Sequence, residues 1–299
     1  MKIQKTITYT DFSILVTQTP DASQLSTLDS LILSCHQNRE NVPEFSFSDD
    51  EKNIFLFLMR SDGSIPAVLA LSILDEETAE CRAVTAPAFR RQGYFSALLE
   101  EAETLAGERD LIFPLPNSCT DGLAVMQALG AECLSTEYEM ACQIPASMET
   151  SRYNPCDSSY CTNQNHTLFE TARWTLISQK GNRKNTFSLQ VREEAENEEG
   201  TPSVFLESIV SDLNATSCIG SCLTTRTSET CVCLHHVEIR EDLRGKGFGT
   251  ILVRRLLEEL ADFGVKRVIL QVSGDNAPAL SLYKKTGFAI TQSLSYYLY

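Results

Sequence analysis

The sequence lacks the features of an exported, membrane-bound or nucleic-acid-binding protein. No run of about eighteen apolar residues occurs, so no transmembrane helix and no membrane partner are predicted. The first residues include neither an apolar stretch of signal-peptide length nor a small-residue cleavage site, and we therefore expect a cytoplasmic protein. Basic residues are few, 25 against 40 acidic ones, and the net charge of −15 argues against a nucleic acid partner.

Paired C-x-x-C knuckles, which are typical of structural zinc sites, are also absent from the sequence. The 11 cysteines are an odd number in a chain that we expect to stay in the cytoplasm, so reduced thiols are predicted in place of disulfides. Cys231 and Cys233 lie two apart in an apolar run, with Cys218 and Cys222 upstream. Two thiols on one face of a strand behave as small apolar groups, and we predict no metal site.

The length of 299 residues and the 42% hydrophobic content are enough for two domains, each with its own core. A polar stretch at about 145–165 is typical of a linker. We predict an N-terminal domain over 1–147, a linker over 148–166 and a C-terminal domain over 167–299. Residues 1–150 contain 9 basic and 23 acidic residues, a charge of −14, whereas the rest contain 16 and 17, a charge of −1. The acidic half would attract a cationic substrate, such as one that carries an amine, although an acidic surface also serves solubility.

The two halves repeat one pattern of apolar residues. The first half predicts a helix, three strands, a helix, a strand, a short helix and a strand, whereas the second predicts four strands followed by the same last four elements. The equivalent glycines Gly93 and Gly247 are 154 residues apart, about half the chain, which indicates an internal duplication. We predict an α/β fold of the α+β type, in which each domain has a mixed, mostly antiparallel sheet flanked by helices.

The strongest motif lies between a predicted strand and an amphipathic helix, and its residues are Arg244, Gly245, Lys246, Gly247, Phe248, Gly249 and Thr250. Glycines allow the backbone to approach a ligand closely, and the amides that begin a helix attract an anion. The motif differs from the two common nucleotide-binding patterns, G-x-x-x-x-G-K-[ST] and G-x-G-x-x-G. It predicts a binding loop for a pyrophosphate.

Further residues follow this loop in a fixed order: a strand that ends near Ser273, then Asn276, Tyr283 and Gly287. With the R-x-x-G-x-G loop, this order resembles the GNAT superfamily of acetyl-CoA-dependent N-acetyltransferases over about residues 230–299. The resemblance implies tandem GNAT-like domains, acetyl-CoA as co-substrate, and the primary amine of a small molecule or peptide as acceptor. It leaves the acceptor's identity and the oligomeric state open.

The resemblance also implies roles for single residues. The loop would wrap the pyrophosphate of coenzyme A, the backbone of Val237, Glu238 and Ile239 would pair with the pantetheine arm, and Asn276 would lie beside the cofactor. Tyr283 would protonate the departing thiolate. This proton transfer is unfavourable by only one or two pKa units, because a phenol has a pKa of about 10 and a thiol about 8.5. No cysteine lies in the loop or the helix after it, so we predict direct attack by the amine without an acyl-enzyme.

The general base remains open at this stage. Glu238 and His236 are predicted to share one face of the strand that leads into the loop, and His235 to face the other way unless a bulge intervenes. Each of the three side chains could take a proton from an ammonium, directly or through water. Water or the acceptor's own ionisation is the remaining alternative.

The first half carries a weaker copy of the motif. Arg90, Gln92 and Gly93 match the loop, but Phe95 stands at its last small position, and Met126, which cannot donate a proton, takes the place of Tyr283. We therefore predict one working active site, in the C-terminal domain, and a degenerate N-terminal domain. The alternatives are a CoA-binding or partner-binding module without turnover, and a transferase of a longer acyl group.

Overall fold

A computed structural model of the protein describes residues 4–38, 41–45, 52–144, 173–180, 184–192 and 218–299. The chain forms two compact units: unit 1 comprises Met1–Tyr138, Ser273–Asp275 and Gln292–Tyr299, and unit 2 comprises Glu139–Val272 and Asn276–Thr291. The last eight residues thus belong to unit 1, which the predicted boundaries 1–147 and 167–299 do not anticipate. The predicted linker, 148–166, lies outside the described residues.

The described residues of unit 1 form a mostly antiparallel sheet and three α-helices. Its elements are β1 (Gln4–Thr8), β2 (Phe12–Thr17), α1 (Ala22–Gln37), β3 (Lys52–Arg60), β4 (Ala67–Ile73), β5 (Thr78–Thr85), α2 (Tyr94–Ala106), β6 (Asp110–Pro116), α3 (Thr120–Leu129) and the first part of β7 (Glu132–Gln143). The strand order is β1-β2-β3-β4-β5-β6, followed by β13 (Ala289–Leu298), whose end pairs with β6. The sequence patterns predict these elements except β1 and β2, since β1 is short, mostly exposed and without apolar alternation.

The central strands of unit 1 are buried on both faces. In β3, Leu56 and Leu58 pack in one apolar cluster with Leu98 of α2, whereas Phe55 and Phe57 pack in another with Leu28 of α1. Successive side chains of a strand point to opposite faces, so α1 and α2 cover opposite sides of this sheet. The helices therefore hold the strands in a two-sided core.

Unit 2 has the same kind of architecture. Its elements are β8 (Arg173–Lys180), β9 (Lys184–Arg192), β10 (Cys218–Arg226), β11 (Cys231–Ile239), α4 (Phe248–Asp262), β12 (Arg267–Ser273) and α5 (Ala277–Lys285). The strands follow the order β12-β11-β10-β9-β8, and α4 buries Leu252, Leu256 and Leu260. Each unit is thus a mixed, mostly antiparallel sheet flanked by helices, which confirms the predicted fold class.

In both units one pair of parallel strands separates after a short contact. In unit 1, β5 pairs with β6 from Thr78–Asp110 to Glu80–Ile112. In unit 2, β11 pairs with β12 from Cys231–Arg267 to Cys233–Ile269. The strands continue beyond these pairs, so their carboxyl ends part at the place where the predicted binding loops begin.

Deleting the chain's last eight residues, 292–299, is expected to destabilise unit 1. Leu294–Leu298 pair with residues 112–116 of β6, and Ser295 is only 3% exposed. Without this strand β6 becomes an edge, and we expect its amides to exchange at least about tenfold faster in hydrogen-exchange measurements. Unchanged protection of Ile112 and Phe113 would show that β13 contributes little to the unit.

Candidate active site

The predicted loop of unit 2 has the backbone of an open anion-binding site. Gly245 and Gly247 both have positive φ, 74° and 91°, and a Cβ atom on Gly245 would meet no heavy atom of the described residues within 4 Å. Gly247 is the N-cap of α4, and none of the described side chains caps that helix. The positive end of the helix dipole lies at this position and attracts an anion.

Arginine side chains hold this loop in shape. The Arg244 Nε donates to the backbone oxygen of Ile239 at 3.0 Å, which fixes the loop against the end of β11. The Arg240 guanidinium donates to both carboxylate oxygens of Asp242, at 2.7 and 2.8 Å. These hydrogen bonds lower the pKa of Asp242, so this carboxylate stays ionised and keeps Arg240 in place.

Gly249 lies at a close packing contact within unit 2. A Cβ atom on Gly249 would lie 3.2 Å from Cδ2 of Leu282 in α5 and 3.8 Å from Cγ1 of Ile239. The end of β11, the start of α4 and α5 thus meet at this glycine. Because Leu282 precedes Tyr283, the contact ties the helix of the predicted acid to the loop.

A β-bulge interrupts β11 beside the loop. Across β10, Leu223 pairs with His235 and Ser221 with Glu238, so Cys222 alone lies opposite His236 and Val237. His236 has a φ of 48°, which is uncommon for a residue other than glycine. The strict alternation on which we predicted a common face for His236 and Glu238 does not hold through the bulge. Both side chains are nevertheless exposed, and His235 is half-buried.

Gly220 of β10 lies opposite Ile239, and sequence reasoning missed it. A Cβ atom on Gly220 would lie 2.4 Å from Cδ1 of Ile239 and 2.6 Å from the backbone oxygen of Glu238. The absence of a side chain thus allows β10 to approach the segment that leads into the loop. A glycine between Cys218 and Cys222 in a strand is a signal of such a close approach.

Gly220→Ala is expected to lower the free energy of unfolding by about 1–3 kcal/mol, because the methyl group must displace backbone atoms. Urea denaturation measures this loss. Gly249→Ala is the matched control: its methyl group would meet the tip of the flexible Leu282 side chain at 3.2 Å, so the loss should be smaller. Equal losses in the two variants would contradict the structural role of Gly220.

Tyr283 is buried in α5, with 8% of its surface exposed, and its ring lies 5.7 Å from that of Phe288. Burial, and to a lesser extent the charge of the Cys222 thiolate, raises the pKa of Tyr283 above its ordinary value, so the phenol is protonated at neutral pH. Tyr283 follows Leu282, whose side chain lies beside Gly249 of the loop. Unit 2 therefore brings together the loop, the strand end and the predicted acid.

Asn276 begins α5, and its side-chain oxygen accepts a hydrogen bond from the backbone N–H of Ala279 at 3.2 Å. This contact gives the residue a structural role as the helix N-cap, besides the cofactor contact that the sequence predicts.

Asn276→Ala is expected to lower the free energy of unfolding by about 1 kcal/mol, because the cap of α5 is lost. Asn276→Asp keeps a capping oxygen and should retain most of that stability. Urea denaturation of the two variants tests the capping role, which equal losses would contradict.

The loop of unit 1 retains the backbone of its counterpart. Arg91 and Gly93 have φ values of 59° and 82°, Gly93 is the N-cap of α2 without a side-chain cap, and the Arg90 Nε donates to the oxygen of Thr85 at 3.2 Å. Met126 occupies the tyrosine position and is buried. Phe95, the bulky residue at the last small position of the loop, lines a cavity beside it. This cavity was not predicted from the sequence.

The remaining sequence predictions concern thiols, metals and membranes. The eight cysteines whose side chains the structure describes are all free, including Cys231 and Cys233. In the described part of the chain, no group of three or more His, Cys, Asp or Glu residues could hold a metal ion. Within the same residues, no helix is long and apolar enough to cross a membrane.

Two solved structures share the fold over nearly the whole chain. A GCN5-related N-acetyltransferase from Sphaerobacter thermophilus has a TM-score of 0.56 and 14% sequence identity, with 96% of this chain and 95% of that chain covered. A tandem GNAT protein from the clavulanic acid biosynthesis pathway has a TM-score of 0.55 and 13% identity, with 97% and 98% covered. These similarities support two tandem GNAT folds.

Sequence comparison agrees with the fold. The mycothiol acetyltransferase of Corynebacterium jeikeium is 38% identical over 68 residues, which are 23% of this chain and 19% of that protein. The chain thus spans only about a fifth of the length of this relative. The profile of the "Acetyltransferase (GNAT) family" matches residues 24–115 and 172–288, together more than half of the chain. The chain therefore belongs to the acetyltransferase (GNAT) family.

Proposed function

We propose that the protein is an N-acetyltransferase that binds acetyl-CoA in unit 2 and transfers the acetyl group to a primary amine by direct attack. The observation that carries this proposal is the contact at Gly249, where the end of β11, the uncapped start of α4 and the helix of Tyr283 meet. A transferase of this class needs an anion-binding loop and a proton donor on the same unit. Unit 2 has both.

The residues of the loop fit a pyrophosphate. The start of α4 carries the positive end of the helix dipole, Arg244 and Lys246 supply positive charge, and Gly245 leaves room for the ligand to approach. Beyond the loop, β11 parts from β12 after Cys233, so the backbone of Val237, Glu238 and Ile239 is available to an extended arm such as pantetheine. Acetyl-CoA supplies the thioester that the amine attacks.

Tyr283 is the proton donor in this proposal. Its raised pKa keeps the phenol protonated over the neutral range, as an acid requires, although it also makes the proton harder to release. Glu238 and His236 are exposed at the bulge and are the candidate bases, with water as the alternative. The acidic half of the chain favours a cationic acceptor such as an aminosugar, a polyamine or a lysine side chain.

The proposal is tested by measuring the release of the free CoA thiol from acetyl-CoA with a panel of primary amines. The panel contains an aminosugar, a polyamine and a lysine peptide. We expect thiol release that depends on one of these amines, together with an acetylated product in its mass spectrum. Acetyl-CoA binding in calorimetry without thiol release for any amine would contradict the enzyme and favour a binding module. Faster release from longer acyl-CoA thioesters would make the protein a transferase of those groups.

A further inference from the structure

Unit 1 contains a cavity of about 580 Å³ at the place where β5 and β6 part. Cys81 and Ala83 of β5 and Phe113 and Leu115 of β6 line it from the two strands. Its volume lies within the range of small-molecule sites, about 300–1,000 Å³. The predicted active site does not use this cavity, because that site is built from unit 2.

Most of the cavity wall is apolar. Tyr94 and Phe95 contribute to it from α2, and Val125 and Met126 from α3. A methionine at the tyrosine position removes the phenol that serves as the acid in unit 2, so this cavity is suited to binding and not to acyl transfer. The wall favours a ligand with an apolar body.

The charged groups of the cavity lie at the loop. Arg90 forms an ion pair with Asp121 of α3, and it also donates from Nε to the oxygen of Thr85. Arg91, which is exposed, lines the same cavity. The charges of Arg90 and Asp121 cancel, so these three side chains leave one net positive charge at the mouth.

Unit 2 differs at the equivalent position. Asp121 corresponds to Pro278, since both lie two residues after the N-cap of their helix, Cys119 and Asn276. The loop of unit 2 therefore has no such carboxylate on its short helix, which suits a pyrophosphate. In unit 1 Asp121 neutralises Arg90, so the loop has too little positive charge for a polyanion, whereas a single negative charge can still be balanced by Arg91.

We propose that the cavity of unit 1 binds an amphipathic carboxylate, with the apolar chain between β5, β6 and α3 and the carboxylate at Arg91. This inference does not depend on the proposed acetyl transfer. Unit 1, in which Met126 replaces the equivalent of Tyr283, would thus bind its own ligand, with one negative charge and an apolar tail.

Calorimetric titration of the full chain with decanoate, below its micelle concentration, tests the proposal. We expect saturable binding of decanoate and none of decylamine, which has the same chain with the opposite charge. Arg91→Ala should weaken decanoate binding about tenfold, because a charge-assisted interaction is lost. Lys5→Ala is the control: it removes an exposed cation of unit 1 outside the cavity and should change nothing.

A second pair of variants tests the apolar wall. Ala124 lines the cavity from the exposed side of α3, so Ala124→Phe should fill it and weaken decanoate binding at least tenfold. Gln127 is exposed on the same helix outside the cavity, and Gln127→Phe should have no effect. A saturating concentration of CoA should leave the decanoate affinity unchanged.

Three results would overturn the proposal. Absence of saturable decanoate binding, or binding that neither Arg91→Ala nor Ala124→Phe weakens, would show that the cavity does not hold the carboxylate. Equal binding of decylamine would exclude recognition of the negative charge. Displacement of decanoate by CoA would assign the cavity to a polyanionic ligand. Each result can be obtained whether or not the protein transfers acetyl groups.

Discussion

Gly247→Glu is expected to abolish acetyl-CoA binding. The new carboxylate would lie at the N-cap of α4, within the loop, and would repel the pyrophosphate of acetyl-CoA. A residue other than glycine in this left-handed conformation also costs about 1–2 kcal/mol. Calorimetry with acetyl-CoA measures the binding, and urea denaturation shows whether the variant still folds.

Gly93→Glu is a closely matched control for this variant. Gly93 is the N-cap of α2 with a φ of 82°, against 91° at Gly247, so the backbone strain of the two variants is similar. Because unit 1 is not the acetyl-CoA site in our proposal, this variant should bind acetyl-CoA as the wild-type protein does. Similar losses of binding in both variants would instead indicate two acetyl-CoA sites.

Tyr283→Phe is expected to lower turnover by about tenfold to hundredfold and to leave acetyl-CoA affinity nearly unchanged, because a general acid is lost while the loop stays intact. The ring keeps its contact with Phe288, so the variant should fold. Steady-state thiol release with an accepted amine gives kcat, and calorimetry gives the affinity. Unchanged kcat would remove Tyr283 from the mechanism.

The pH dependence provides a separate test of Tyr283. An acid works only while protonated, and burial raises the pKa of this phenol above the ordinary value of 10.0. The midpoint of the kcat loss through Tyr283 should therefore lie above the ordinary phenol value of 10.0 in the wild-type enzyme. A decline in kcat at lower pH that disappears in Tyr283→Phe would contradict the raised pKa.

The sequence predicted the elements that repeat in both halves, because their helices and strands have clear apolar periods and end at glycines. It also predicted the open loop, since glycine at 245 and 247 is what positive φ requires. The sequence could not predict that residues 292–299 belong to unit 1, because apolar alternation in 289–298 indicates a strand but not the strand with which it pairs.

Within the site, the bulge at His236 was the main feature beyond the reach of sequence reasoning. Alternate residues of a strand lie on the same face only while the hydrogen-bonding ladder is regular. One inserted residue moves every later side chain to the opposite face. The cavity of unit 1 was missed for a different reason: its wall combines residues far apart in sequence, such as Ala83, Phe113 and Val125. The packing role of Gly249 was missed for the same reason, because Gly249 contacts Leu282 of α5, which is distant in sequence.

Thiol release by Gly247→Glu and Gly93→Glu, measured side by side with the same amine and saturating acetyl-CoA, tests the central claim most directly. The two variants carry the same substitution on nearly the same backbone conformation, one in each unit. If unit 2 alone binds acetyl-CoA and transfers its acetyl group, Gly247→Glu should release no thiol above background, and Gly93→Glu should keep a rate close to that of the wild-type enzyme. Loss of thiol release in Gly93→Glu with full activity in Gly247→Glu would contradict this account.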